Sequence, residues 1–350
     1  MASPSRPEHP SGDTAGDTSD GPSGPTGARP GPSPLVLRKA PAAPSGLSAR
    51  SWRSVLLRTG RECLADELPD RAAALTYYGV LAVFPALLVL VSLLGVIGRS
   101  ATERILDGLQ GLAPGPAREI LREAVDQPQQ AGASGSVLAL LGLAAAVWAA
   151  SGYVGAFIRS ANAVYDIAEG RPVWKLTPLR LGLTVLLMVL LAASAVIVVF
   201  TGPLADRVGR ALGIGATALT VWTVAKWPVL VLLVVLMIAL LYWAAPNVRG
   251  RGFRWVTPGS VLSVLLWLAA SAGFAFYVAT FGSYNRTYGT LAGVVVFLVW
   301  LWLSNFAILL GLQFDAELSR ARAVAGGLPE GEEPYVAPRD TSTWPLGRKH

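Results

Sequence analysis

Two histidines, one cysteine and a scatter of carboxylates are all that this 350-residue chain offers for metal-assisted or nucleophilic chemistry. His9 and His350 stand at opposite ends, in polar segments that cannot deliver them to a common buried site. Metal-dependent cleavage of a phosphodiester needs His, Asp or Glu ligands clustered around an ion and its activated water. The carboxylates nearest the apolar segments are Asp66, Glu67, Asp70, Asp166, Glu169, Asp315 and Glu317. They fall at helix ends, where they are expected to be counter-charges to arginines; an all-carboxylate magnesium site is the remaining metal option. There is no GxSxG elbow and no GxxxxGK[ST] phosphate loop. The lone Cys63 excludes an intrachain disulfide and a zinc site of several cysteines. The expectation is a protein that is not an enzyme, with no catalytic residues, no metal and no cofactor.

Polar residues embedded in apolar runs are the better lead, because polarity inside a membrane is costly. Asn305 and Gln313 lie on one broad face of a helix, about two turns apart. Ser304 and Asp315 share another face. Asn305 and Gln313, with the paired Tyr77 and Tyr78 and with Lys226, are candidates to line a substrate path. Helix–helix hydrogen bonding is the competing reading for Asn305 and Gln313. Lys226, between Trp222 and Trp227, either snorkels to an interface or meets a lipid phosphate. Two basic turns, one with Asn162, Tyr165, Arg171 and Lys175, the other with Asn247, Arg249 and Arg251, are candidates for headgroup contact. Topological charge bias explains the same arginines without a ligand. Tyr284, Asn285, Tyr288 and Gly289 form a polar, aromatic outer turn, read as a tight turn or a short re-entrant contact.

The elements that must position these residues are six apolar runs, near 75–98, 136–158, 181–201, 221–245, 258–281 and 289–313. Each matches the roughly 20 residues a helix needs to cross a bilayer core. The chain is 53% hydrophobic and 15% charged, well below the charge of about 25% usual in soluble domains. The predicted fold is all-α, a polytopic membrane protein with a six-transmembrane-helix bundle. Residues 1–46 read as a disordered tail, 47–70 as an amphipathic juxtamembrane helix, 71–320 as the membrane domain and 321–350 as a flexible tail. The amphipathic helix has arginines on its polar faces, so it either lies in the headgroup layer or packs on the bundle. No signal peptide is expected, so the first span directs insertion. Arg50, Arg53, Arg58, Arg61 and Arg71, then Arg159, Arg171, Lys175 and Arg180, then Arg249, Arg251 and Arg254, then Arg320 and Arg322 recur on one side. That asymmetry places both termini in the cytoplasm.

Four segments carry a resemblance: RAAALTYYGVLAVFPALL at 71–88, NAVYDIAEGRPVWKLTPLRL at 162–181, YWAAPNVRGRGFRWVTPG at 242–259 and FGSYNRTYGTLAGVVVFLVWLWLSNFAILLGLQFDAEL at 281–318. In this order and spacing the chain resembles the YihY/virulence factor BrkB family, once labelled ribonuclease BN. Gln313 is a departure, standing where an acidic residue is expected in the family. The resemblance implies a six-helix protein of the bacterial plasma (inner) membrane, with members associated with envelope integrity, serum resistance and lipid or lipopolysaccharide transport. The expected function is therefore non-enzymatic transport of lipid or an envelope component. The alternative is a membrane scaffold for envelope assembly, and ribonuclease activity is the least favoured. Expected partners are membrane lipids, with an envelope protein or a second copy as further options, and no nucleic acid.

Overall fold

The computed structural model describes residues 31–41, 44–97, 132–199, 216–249, 257–281 and 285–344, without the side chains of 83–97, 132–142, 199, 216–220, 279–281 and 285–292. Its elements are α1 (Pro34–Lys39), α2 (Ala49–Ala65), α3 (Leu68–Ile97), α4 (Gly132–Val164), α5 (Val173–Val199), α6 (Ala216–Ala244), α7 (Pro258–Phe281) and α8 (Asn285–Ala325). Among the described residues the architecture is all-helical apart from one antiparallel bridge between Val248 and Pro338. Among the described residues, four stretches are long and apolar enough to cross a membrane: Val173–Val198, Val221–Ala244, Pro258–Val278 and Gly293–Ala325. Helices α3 and α4 have 30 and 33 residues.

The long helices alternate in direction. α1, α2 and the C-terminal segment gather at one end of the bundle, called basal here; the opposite end is distal. α8 is the central element of the basal end, contacted by α2, α3, α4 and α7. Residues 311–318 of α8 are buried in unbroken succession. At about 100° per residue, eight consecutive positions cover every side of a helix, so neighbours surround it completely. Gly311 allows the closest of these approaches. A Cβ there would run into Ser263 Oγ and the carbonyl of Gly259, so α7 and α8 meet backbone to backbone. The start of α7 is fixed by a reciprocal cap: Ser260 N–H donates to Thr257 Oγ1 (3.1 Å), Thr257 N–H donates to Ser260 Oγ (3.0 Å), and Pro258 follows Thr257 at the first helical position.

Helix α2 begins at the Ser48 cap, whose hydroxyl accepts from Ser51 N–H at 3.2 Å. Val55, Thr59 and Cys63 form its buried stripe. Val55 packs with Leu47, Phe314 and Leu318, and the Trp52 ring lies 6.1 Å from that of Phe314. Arg58 Nε donates to Glu317 of α8 at 2.8 Å. Leu56, Leu57 and Leu64 remain exposed.

Both terminal segments differ from the tails that composition suggests. Residues 31–41 fold against the basal end: Arg322 Nε donates to the carbonyl of Pro41 at 2.9 Å, and Gly31 abuts the backbone of Ala337. Residues 326–344 form a strap across the ends of α4, α5 and α6. Tyr335 is 2% exposed, and its hydroxyl donates to the carbonyl of Val164 at 3.3 Å. The strap is polar in sequence, but its few apolar residues, Leu328, Tyr335 and Val336, join the main core. At the distal end α8 starts at Asn285, so Asn285, Tyr288 and Gly289 are helical rather than part of a turn; Tyr284 lies outside the described residues.

Candidate functional site

The basal turns predicted to meet headgroups are instead largely consumed by one another. The chain leaves α4 through Asp166 at φ 51°, a left-handed position that aspartate tolerates. The following turn brings Glu169 against Arg171. Arg171 Nε and Nη2 donate to the Glu169 carboxylate, both at 2.7 Å, and its backbone N–H adds a third bond at 3.0 Å. The same guanidinium caps α6, donating to the carbonyls of Ala244 (3.2 Å) and Ala245 (2.7 Å). Asn162 Nδ2 donates to Glu169 at 2.9 Å, and Asn162 Oδ1 accepts from Asn247 N–H at 2.7 Å. Asn247 then grips the strap, donating to the carbonyl of Asp340 (2.8 Å) and accepting from Asp340 N–H (3.0 Å). Lys175 Nζ closes the loop on Asp340 at 2.7 Å.

Asn162, Tyr165, Arg171 and Asn247 are thus buried, and all but Tyr165 are committed to this knot, which corrects their reading as headgroup contacts. Buried guanidinium and amide groups are stable only where their donors find acceptors, and the knot supplies them. Burial pushes the Glu169 carboxyl up, but the Arg171 side chain and backbone N–H outweigh it and hold the group below the usual carboxylate range. Arg249 is exposed, and Arg251 lies outside the described residues.

The residues proposed to line a substrate path are placed as follows. Asn305 is buried between three helices: it accepts from Tyr153 Oη at 2.8 Å and donates to Thr76 Oγ1 at 3.1 Å. It ties α3, α4 and α8 together, and its polarity is spent on those bonds. Tyr77 points outward at 62% exposure, while Tyr78 is half-buried beneath the Arg159 guanidinium, 5.8 Å from its ring. Lys226 is buried, with Nζ 5.4 Å from the Trp227 ring centroid, rather than reaching outward. Gln313, 1% exposed, keeps its Oε1 without a hydrogen-bond partner. A second seam passes unpredicted between α6, α7 and α8. There the Tyr242 hydroxyl donates to the carbonyl of Ile308 and shares a bond with Ser263, and Asp315 Oδ1 accepts from Gly259 N–H at 2.7 Å. Tyr242 stands in the YWAAPN segment and Asp315 in QFDAEL, so the residue types were visible while their pairing was not.

Acidic groups meet arginines at the basal surface. Arg320 pairs with Glu333 (2.8 Å) and approaches Asp166 (3.6 Å), and its guanidinium covers the Tyr335 ring at 4.5 Å. Partial burial, then the carboxylates of Glu333 and Asp66, push the half-exposed Asp166 up to about 6 against the opposing pull of Arg320. Among the described residues, no three of His, Cys, Asp and Glu converge as metal ligands.

Beside the knot lies a cavity of about 280 Å³, walled by α6, α8, the strap and the end of α1. Tyr165, Tyr242 and Tyr335 line its interior, and Arg249, Arg322 and Arg339 also line it against the single carboxylate of Asp315. Trp243, 45% exposed, forms one lip; Arg339 donates to its carbonyl at 2.7 Å and lies 5.6 Å from its ring.

At the distal end the packing loosens. Residues 275–278 of α7 are all exposed, as are 293–295 and 297–299 of α8 and 227–229 of α6. Four consecutive helical positions sweep about 300°, so α7 there presents nearly all its sides to its surroundings. The exposed side chains are Phe276, Tyr277, Val278, Val294, Val295 and Trp227.

Long apolar helices, bare on most sides at one end and tied by polar seams at the other, define a multi-pass helical membrane protein. Within that class the chain belongs to the virulence factor BrkB family, whose model matches residues 59–334. It is 30% identical over 266 residues to a protein named putative ribonuclease-like protein YfkH from Bacillus subtilis, covering 76% of this chain and 94% of that one. It is 29% identical over 296 residues to a UPF0761 membrane protein of Chromohalobacter salexigens, covering 78% and 66% of the two chains. A UPF0761 membrane protein of Tolumonas auensis shares 41% identity over 81 residues, 23% of this chain and 26% of that one. No solved structure matches.

Proposed function

We propose that the chain is a six-span protein of the bacterial plasma membrane, with α3 to α8 as the spans and both termini in the cytoplasm. It moves lipid or a lipid-like envelope component and is not an enzyme. The observation that carries this reading is the asymmetry of the bundle. Polar seams and the strap close the basal end, while α6, α7 and α8 expose apolar side chains away from it. Such apolar surface is compatible with acyl chains, and a closed base provides the barrier that alternating access requires. The basic basal end faces the cytoplasm in this reading, where α2 lies at the headgroup layer with Leu56, Leu57 and Leu64 toward the acyl boundary. The hydrogen bonds of Asn305 and the buried knot support the scaffold alternative, because they tie the basal half together. Reconstitution into liposomes carrying headgroup-labelled lipids separates the two. Label should cross faster than in protein-free vesicles. If no lipid class moves, with or without an imposed ion gradient, the transport reading fails and the scaffold stands.

A further inference from the structure

The basal cavity lies beside the knot and shares Tyr242 and Asp315 with the second seam, and its composition is that of a binding site. Its walls combine apolar side chains with basic ones: Arg249, Arg322 and Arg339 line it together with the carboxylate of Asp315. That carboxylate, Asp315, is already engaged by the N–H of Gly259. Among the described residues neither Arg249 nor Arg339 has an ion-pair partner, and the Arg249 side chain has no hydrogen bond. Arg339 spends one nitrogen on the Trp243 carbonyl and leaves the rest of its fork open. Burial, then the neighbouring Arg171, disfavours its charge, so an anion beside it would relieve an existing cost. The buried Tyr165 lines the same cavity, and among the described residues its hydroxyl has no hydrogen-bond partner.

We propose that this cavity binds a phosphate-bearing anion, with the guanidinium groups of Arg249 and Arg339 on its charge and the Tyr165 hydroxyl on one of its oxygens. Guanidinium forks match the spacing of phosphate oxygens, and charge-assisted bonds of this kind are the strong ones. A cavity of about 280 Å³ holds one phosphate group with its ester linkage, but not a whole diacyl lipid. Trp243 at the lip then meets the glycerol and first methylenes of a lipid that stays in the bilayer. The inference rests on the lipid-handling reading for the source of the phosphate, a headgroup, and on the cavity itself for the chemistry.

Isothermal titration calorimetry on the full chain in detergent tests it, with dihexanoyl phosphatidic acid, dihexanoyl phosphatidylcholine and inorganic phosphate as probes. Phosphatidic acid should bind more tightly than phosphatidylcholine. Arg249→Gln should weaken it by about tenfold and Tyr165→Phe by a smaller factor. Ala40→Trp, which fills the cavity from the end of α1, should abolish binding. A thermal melt checks that each variant remains folded. Inorganic phosphate that binds as well as phosphatidic acid, with the same dependence on Arg249, upholds the site and assigns it to the free ion. No heat from either anion overturns the proposal. So does phosphatidic acid binding that survives both Arg249→Gln and Ala40→Trp. Binding without lipid movement in liposomes sinks the transport reading alone, and movement without binding sinks this one alone.

Discussion

Residues 311–318 and residues 275–278 lie on neighbouring helices of one bundle, yet the first stretch is buried throughout and the second is exposed throughout. The first includes Gln313, Asp315 and Glu317; the second is Ala275, Phe276, Tyr277 and Val278. In a membrane this inversion is sensible. Lipid is as good a solvent for Phe276 as another helix, so apolar surface gives no strong reason to pack. Polar groups have no such alternative and must find one another. Specific structure in this protein therefore concentrates where the polar residues are, and freedom to part concentrates where they are missing.

Tyr335→Ala should produce the largest loss. Removing a fully buried aromatic side chain costs about 3–5 kcal/mol, and the strap should become cleavable by trypsin after Arg339. Unfolding in graded denaturing detergent, with limited proteolysis alongside, measures both. An unchanged midpoint would mean that the basal end does not depend on its strap. Glu169→Leu follows, at about 3 kcal/mol, because it leaves the Arg171 guanidinium buried without its carboxylate. The same unfolding series reads it, and loss of the α6 cap should show as faster amide exchange near Ala244.

Asp166 gives a smaller effect with a definite sign. Its carboxyl titrates near 6 in the folded chain and near about 3.9 when unfolded. Between those values the folded state holds a proton that the unfolded state has released, so stability falls as pH rises through the window. The melting temperature should be higher at pH 5 than at pH 7, and Asp166→Asn should flatten that difference. A steeper dependence in Asp166→Asn would place the titrating group elsewhere, with Asp66 the first alternative, since burial and Glu62 raise it too. The smallest effect belongs to the distal half. Val224→Ala, at a side chain 69% exposed, should change stability by less than about 0.5 kcal/mol. A larger cost would show that the distal helices are held as firmly as the basal ones.

Much of this organisation was legible in the residues. The apolar runs near 181–201, 221–245 and 258–281 correspond to α5, α6 and α7, because a stretch of about 20 apolar residues has few alternatives to a spanning helix. The central role of α8 was partly written in QFDAEL. Gln313 and Glu317, four residues apart, share one side of the helix, and Asp315 between them points to another, so the segment is polar on more than one side. What was not legible is partnership. Arg171, Lys175 and Arg249 satisfy topological charge bias equally well whether they face lipid or protein, and nothing local to Arg171 signals the α6 carbonyl that it caps 73 residues later. The strap was hidden for a related reason. A segment rich in Pro, Gly and Glu reads as a tail, and one well-placed tyrosine does not alter its composition. Docking is decided by the surface that receives it.

The strap also sets an order of events during synthesis. Val164 ends α4, yet the hydroxyl that satisfies its carbonyl belongs to a residue 171 positions later. At roughly 5–20 residues per second, the ribosome needs about ten to thirty seconds to supply it. Throughout that interval the nascent chain can hold its helices in the bilayer, but its basal surface lacks Tyr335 and the Asp340 backbone that Asn247 grips. Completion of the fold is thereby deferred until every helix has been inserted. A chain stalled or truncated before Tyr335 carries an open polar face that proofreading proteases can recognise.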